Sequence, residues 1–300
     1  YNWGIESGKL QAMYMELFPN EEISTNNVAN PEKNSRIKQI FLERSTGESW
    51  LEVENCLPGS RGWGSPRGRE SIEKLKALLS SDIYRNGEEL GVLIASREEI
   101  ILSASIYRIG HYGGIGSRKI ANLGNCKVEG AGDSFDQIGF PNDEGVIEAE
   151  EFFSVDLDQN FSPGTYVLKI GNEEVGTTLP FWIFGEGEVL AIVPTIANRV
   201  HSFPNGSSEK RELYTMGTQE LDGGRISGFT THVFQNGRGG EVVKWVFPFC
   251  KWAERAKIPV SWVTDLELEK DPDIAAGFRK IVLVGDSRFW TQNMHEIIGK

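Results

Sequence analysis

Residues 106–120 read IYRIGHYGGIGSRKI, with four glycines inside seven positions and Arg118 and Lys119 just after them. A glycine-rich turn can cradle phosphate with its backbone N–H groups, or it can let a chain turn a corner between strands. The dinucleotide fingerprint G-x-G-x-x-G sits between a strand and a helix. Here the spacing fails: after Gly114 and Gly116 the third position is Lys119. The chain then runs into RKIANLG, which has strand character, and no Walker A loop occurs. The glycines are expected to supply φ > 0 in a bulged corner between two strands, with Tyr107 and Tyr112 packed beside it.

Working outward, the neighbouring text is a series of short β segments: LGVLIAS, IILSASIYRIG, RKIANLG, EFFSVDL, GTYVLKIG and LPFWIF. Gly, Asn, Asp and Pro clusters separate them, the pattern of an antiparallel sandwich. In NFSPGTYVLKIG, Pro163-Gly164 makes the turn. Tyr166 and Leu168 then share one face, and Val167 and Lys169 share the other.

Near residue 186 the texture changes. EVLAIVPT is a continuous apolar run, as for a strand buried on both faces of a parallel sheet. PFCKWAERAK predicts a helix, with Pro248 in its first turn and an apolar stripe of Phe249, Trp252, Ala253 and Ala256. PVSWVTD and KIVLVGD predict two more parallel strands, and RFWTQNMHEIIG a further helix. The expected fold is mixed: an antiparallel β-sandwich over 84–185, then a three-layer α/β domain with a mostly parallel sheet over 186–300. Residues 1–83 form an N-terminal extension. It holds QAMYMELF, a polar linker, the strand candidate IKQIFLER and one predicted helix over 69–81. In that helix Ile72, Leu75, Leu78 and Leu79 share a face at the 3.6-residue period. The stretch 197–240 is long for a loop in a compact domain, which points to function or to further structure.

Composition narrows the partners. A chain of 300 residues fits two domains. Its net charge of −12 disfavours nucleic acid. Arg61, Arg67 and Arg69 make the nearest basic cluster, read as a solvated loop. No run of about 18 apolar residues exists, so no membrane-spanning helix is expected. The three cysteines, Cys56, Cys126 and Cys250, are widely spaced without C-x-x-C, which fits reduced thiols and a cytoplasmic location. The chain begins at Tyr1 rather than Met and ends at Lys300 inside a predicted helix, so a fragment is expected, truncated within the second domain.

The quoted stretch resembles the I-Y-R-x-G-x-Y-G-G-x-G-[AG]-R segment of proteins similar to the N,N-dimethylformamidase large (beta) subunit. SPGTYVLKI, LPFWI and AIVPTIANR resemble later segments of that family in the right order. FCKWAERAKIPVSWVTDLELEKDPDIAAGFRKIVLVGDSRFWTQNM is the strongest match, and the likeness covers roughly residues 85–300. The resemblance implies an immunoglobulin-like domain followed by one similar in fold to class I glutamine amidotransferases. It implies hydrolysis of the C–N bond of a small amide, assisted by one iron held through two tyrosines and a glutamate. A small partner subunit or a homo-oligomer is also implied. One family tyrosine falls in G-H-D-E-Y-W, which here reads GDSRFW, so the tyrosine position is Phe289 and the histidine position Asp286. Phenylalanine has no oxygen to ligate iron, and the family glutamate would lie beyond Lys300. A catalytically inactive binding or assembly module of the same family is therefore the alternative.

The loop after a parallel strand is where α/β sheets place their sites. Asp286, Ser287 and Arg288 are the catalytic candidates, with Asp265 and Trp290 as substrate-binding candidates. The competing reading is an ordinary helix start, with Asp286 or Ser287 capping its first turn. VLVGDS also resembles the first block of GDSL-type esterases, which would make Ser287 a nucleophile. His295, eight residues on, is about two helical turns away along the same helix. Asp265, Glu267 and Glu269 alternate after a strand, as cation ligands or as a solvated loop. His111, His201 and His232 show no metal-ligand spacing. Tyr107, Tyr112 and Tyr214 are the remaining phenolate candidates, the first two better read as packing. Cys250, inside a helix, reads as core.

Overall fold

The structure is a computed structural model describing residues 50–64, 74–139, 147–148, 151–158, 160–197 and 242–299. The expectations for QAMYMELF, IKQIFLER, the polar linker, Arg67, Arg69, His201, Tyr214, His232 and most of the 197–240 stretch lie outside the described residues.

The chain enters through helix α1 (Trp50–Cys56) and then builds sheets. Strands β1 (Leu75–Leu79), β2 (Ile83–Tyr84), β3 (Glu89–Ser96), β4 (Ile100–Ile109) and β5 (Ser117–Val128) follow. The two-residue strands β6 (Ile138–Gly139) and β7 (Ile147–Glu148) pair with each other. Next come β8 (Glu151–Asp156), β9 (Gly164–Gly171) and β10 (Gly176–Ile183). One sheet has the order β1-β3-β8 and a second β2-β10-β9-β4-β5, antiparallel apart from the short β2–β10 pair. The two share one core: Leu75, Ala77, Leu90 and Val92 from the first meet Ile106, Leu168 and Phe181 from the second.

The helix predicted over 69–81 is corrected where residues are described: 75–79 form strand β1, paired antiparallel with β3. Leucines at 75, 78 and 79 match a 3.6-residue period, but Leu75, Ala77 and Leu79 match a period of two equally well. The side of β3 opposite β8 decides between them. It supplies ladder partners while the three alternate side chains enter the core. Lys76, on the opposite face, donates to the Phe135 carbonyl at 2.8 Å.

Gly-His-Tyr-Gly-Gly-Ile-Gly turns the corner from β4 to β5, as expected. Gly113, Gly114 and Gly116 have φ of 62°, 94° and 91°, and the β4–β5 register shifts twice. In β9, Tyr166 and Leu168 enter the core between the antiparallel sheets, while Val167 faces the other way into a second core.

That second core is where the parallel sheet begins. Strands β11 (Val189–Val193), β12 (Val260–Thr264) and β13 (Lys280–Leu283) pair in parallel in the order β12-β11-β13. Helix α2 (Phe247–Arg255) precedes β12, and a π-helical turn over Val242–Val246 leads into it. Helix α3 (Asp265–Lys270) follows β12, and α4 (Gln292–Gly299) closes the described chain. Alternate residues of β11 serve opposite faces. Val189, Ala191 and Val193 pack with α2 and with Ile109, Val167 and Trp182. Leu190 and Ile192 pack with Val263, Leu268 and Met294. Burial on both faces explains why β11 is written as an unbroken apolar run.

The stripe expected for the second helix is corrected. Phe247, Cys250, Ala253 and Glu254 are its buried residues, whereas Trp252 is 57% exposed. The helix starts one residue before Pro248, and its buried face is set by the neighbouring β4 and β9, which the local pattern does not report.

Candidate functional site at the rim of the parallel sheet

The carboxyl ends of the three parallel strands converge on Pro194-Thr195, Asp265 and Gly285. Gly285 has φ +130°, and a Cβ there would stand 2.9 Å from the Pro194 ring, so this corner needs glycine twice over. The loop from β13 can therefore lie close against the turn after β11.

Asp265 is fully buried at the end of β12. One of its oxygens accepts from the Thr195 N–H at 2.9 Å, the Thr195 hydroxyl at 2.6 Å and its own chain's Leu266 N–H at 3.0 Å. The Ile196 N–H lies 3.4 Å from both carboxylate oxygens. The carboxylate thus caps the turn after β11 and ties the ends of β11 and β12 together. Burial pushes its pKa up to about 6, against the pull of these hydrogen bonds. Its hydrogen-bond partners are protein groups of the rim itself.

Asp286 and Arg288 meet each other. The Asp286 carboxylate accepts from the Arg288 backbone N–H at 3.0 Å and from the guanidinium Nε at 2.9 and 2.7 Å, and Nη2 also contacts it. The Arg288 side chain is 65% exposed, so the pair sits at the water-facing rim. Asp286 closes its own turn and does not cap α4. That cap is Thr291, whose hydroxyl accepts from the Met294 N–H at 3.2 Å and donates to Glu269 at 2.7 Å. The helix start expected at Asp286 or Ser287 is corrected accordingly. Ser287 contributes its carbonyl, which accepts from the Trp290 N–H. His295 packs its ring 5.6 Å from that of Trp290, and among the described residues no hydrogen bond joins it to Ser287. Trp290 is buried with Met294 on the outer face of the sheet, and its indole N–H has no partner among the described residues.

Asp265, Glu267 and Glu269 do not converge. They begin a helix rather than a loop: Asp265 turns inward, Glu267 pairs with Lys270, and Glu269 takes the Thr291 hydroxyl. Among the described residues no three His, Cys, Asp or Glu side chains come together as a metal site. Phe289, standing in the tyrosine position, has no oxygen to offer a metal.

Cys250 is core, as expected. Its thiol lies 3.3 Å from the Ile109 carbonyl, and burial raises its pKa.

Sequence reasoning missed a second charged constellation, built on the glycine-rich corner. Arg118 pairs with Glu54 at 2.5 Å and Arg108 with Glu254 at 2.7 Å, all four almost wholly buried. The Tyr112 hydroxyl donates to Glu54 at 2.7 Å and accepts from Arg108 at 3.0 Å. Two arginines ten residues apart, flanking a glycine turn in strongly apolar strands, were the only signal available.

Residues 103–300 match the family described as N,N-dimethylformamidase beta subunit-like, C-terminal. No curated protein matches. Among solved structures, an alkylpurine DNA glycosylase from Pseudomonas fluorescens, bound to DNA containing an abasic site analog, is 12% identical with a TM-score of 0.23. It is covered over 30% of its length by 37% of this chain. A beta-glucosidase from Listeria innocua, in complex with glucose, is 13% identical with a TM-score of 0.21, over 37% of this chain and 16% of that one. The sporulation control protein Spo0M from Bacillus subtilis is 14% identical with a TM-score of 0.22, over 43% of this chain and 53% of that one. This chain spans less than two thirds of each, and such low TM-scores support no conclusion about it.

Proposed function

The chain belongs to the N,N-dimethylformamidase beta subunit-like family, and from that premise we propose that it hydrolyses the C–N bond of a small amide at the rim formed by Gly285–Trp290. The observation that carries this reading is the span of the family match, which includes all three parallel strands and the whole rim. In finer terms, the antiparallel sheets are immunoglobulin-like and the parallel layer is glutamine amidotransferase-like. A small partner subunit or a second copy completes the assembly. A cytoplasmic location is part of the same proposal, supported by three cysteines that stand as thiols.

The roles follow from position. Arg288, exposed at the rim and steadied by Asp286, binds the amide carbonyl oxygen and stabilises the negative charge that grows there. Water attacks the carbonyl carbon, the C–N bond breaks, and the proton released from water goes to the departing amine. Asp265 holds the turn after β11 in place beneath the rim. No step is routed through iron, since Phe289 replaces one of the tyrosines that the family resemblance implies.

Released ammonia from formamide, or released amine from N-methylformamide and N,N-dimethylformamide, tests the proposal. Turnover of at least one substrate is expected.

A second reading is favoured by Phe289. In it the chain is a binding or assembly module that has lost the family's phenolate. Absence of ammonia or amine release from all three substrates would select it. A Ser287 esterase would need a base at its hydroxyl, and the Ser287→Ala variant, if it abolished ester hydrolysis, would bring that third reading back.

A further inference from the structure

The buried constellation behind the glycine-rich corner joins three separate parts of the chain. Glu54 comes from α1, Arg108, Tyr112 and Arg118 from the β4–β5 corner, and Glu254 from α2, which feeds directly into β12. Arg108 and Glu54 are fully buried, and Arg118 and Glu254 are 3% and 6% exposed. Four charges of this kind, two of each sign, have no aqueous screening and depend on one another.

Independent features are shaped around them. Gly110 has no room for a Cβ, which would overlap the Glu254 carboxylate and stand 2.9 Å from Arg108 Nη1. A Cβ on Gly164 would stand 2.8 Å from Arg108 Nη2. Tyr112 holds φ +43°, a conformation unfavourable for a side chain, and Asn55 of α1 secures it by accepting from both the His111 and the Tyr112 N–H. Lys257, just past α2, has φ +59° and pairs with Glu52 of α1. Each bond crosses between parts, and each is directional. The apolar contact alongside, where Ile109, Val167 and Trp182 meet the parallel sheet, excludes water without fixing an angle.

We propose that this ion cluster is a coupling device. It fixes α2, and through it β12 and the rim, against the antiparallel sheets, so that the two sheet systems open as one unit. The burial energy lies in the apolar contact, and the cluster supplies the register.

Native-state hydrogen exchange on the full chain tests the idea, with amides of β4 and β12 followed separately. In the unmodified chain both sets exchange through the same opening. The double variant Arg108→Met/Glu254→Leu keeps the volume apolar and removes the directional pair. In it, β12 and α2 amides are expected to exchange at least about tenfold faster than those of β4. Equal protection of β4 and β12 in the double variant would overturn the proposal. Glu254→Asp, which retains the charge but shortens its reach, guards against a double variant that does not fold. It should show the same divergence at smaller amplitude, and undiminished common protection there would likewise overturn it. Glu254→Gln alone strands a buried arginine and should lower the melting temperature more than the double variant does. A smaller loss than the double variant's would overturn the claim that the pair itself is what is satisfied.

Discussion

Gly110 and Gly113 stand three residues apart in one turn and are required for different reasons. At Gly110 an added methyl would enter the space of a buried carboxylate. At Gly113 nothing lies within 4 Å, and only the φ of 62° resists a side chain. Gly110→Ala is therefore expected to cost on the order of 3 kcal/mol through overpacking against charge. Gly113→Ala should cost only about 1 kcal/mol of left-handed backbone strain. Urea unfolding of the two variants checks the ordering, and equal losses would contradict it. Asp265 makes a prediction of another kind. Its folded pKa, about 6, lies above the ordinary carboxylate value of 3.8, so the folded state holds the proton more tightly than the unfolded chain. Its contribution is fully present below the lower value and is lost as pH rises through the upper one. Relative to Asp265→Asn, the unmodified chain should lose on the order of 2–3 kcal/mol between pH 4 and pH 7. Unfolding midpoints at several pH values measure the difference, and a constant difference would contradict the burial argument.

Elements were legible in the sequence where one periodicity was decisive. The run Val189–Val193 has no polar residue to favour one face, and it forms a strand buried on both. The glycine-rich corner was legible because a failed fingerprint and a following strand left one geometry. Leu75–Leu79 was not legible, because its leucines satisfy two periods and pairing with the central strand β3 made the choice. The face of α2 was misread for a related reason: Trp252 looks like core by type, yet the neighbouring strands bury the Phe247 side. Truncating each separates the readings. Phe247→Ala is expected to cost about 3–4 kcal/mol, and Trp252→Ala less than about 0.5 kcal/mol, by thermal or urea unfolding. Comparable losses would restore the Trp252 stripe. At the rim, sequence found the loop but not the way its side chains pair. Asp286 and Arg288 were separate candidates in a string, and their mutual ion pair depends on a turn that only the fold defines.

At the scale of the molecule, three sheets are arranged so that the face of β4, β9 and β10 turned away from the antiparallel core is also part of the parallel sheet's core. The rim stands at the carboxyl ends of the parallel strands. Its residues come from the ends of β11, β12 and β13, and its support reaches back through α2 to the glycine-rich corner. Chemistry is expected at the rim, and structure is kept behind it. The most direct test is amine release from N,N-dimethylformamide by the unmodified chain and by Arg288→Ala. That variant alters a side chain 65% exposed to solvent and should leave the melting temperature unchanged. The prediction is measurable release by the unmodified chain and a loss of about 100-fold or more in the variant. Release at the same rate from both would contradict it.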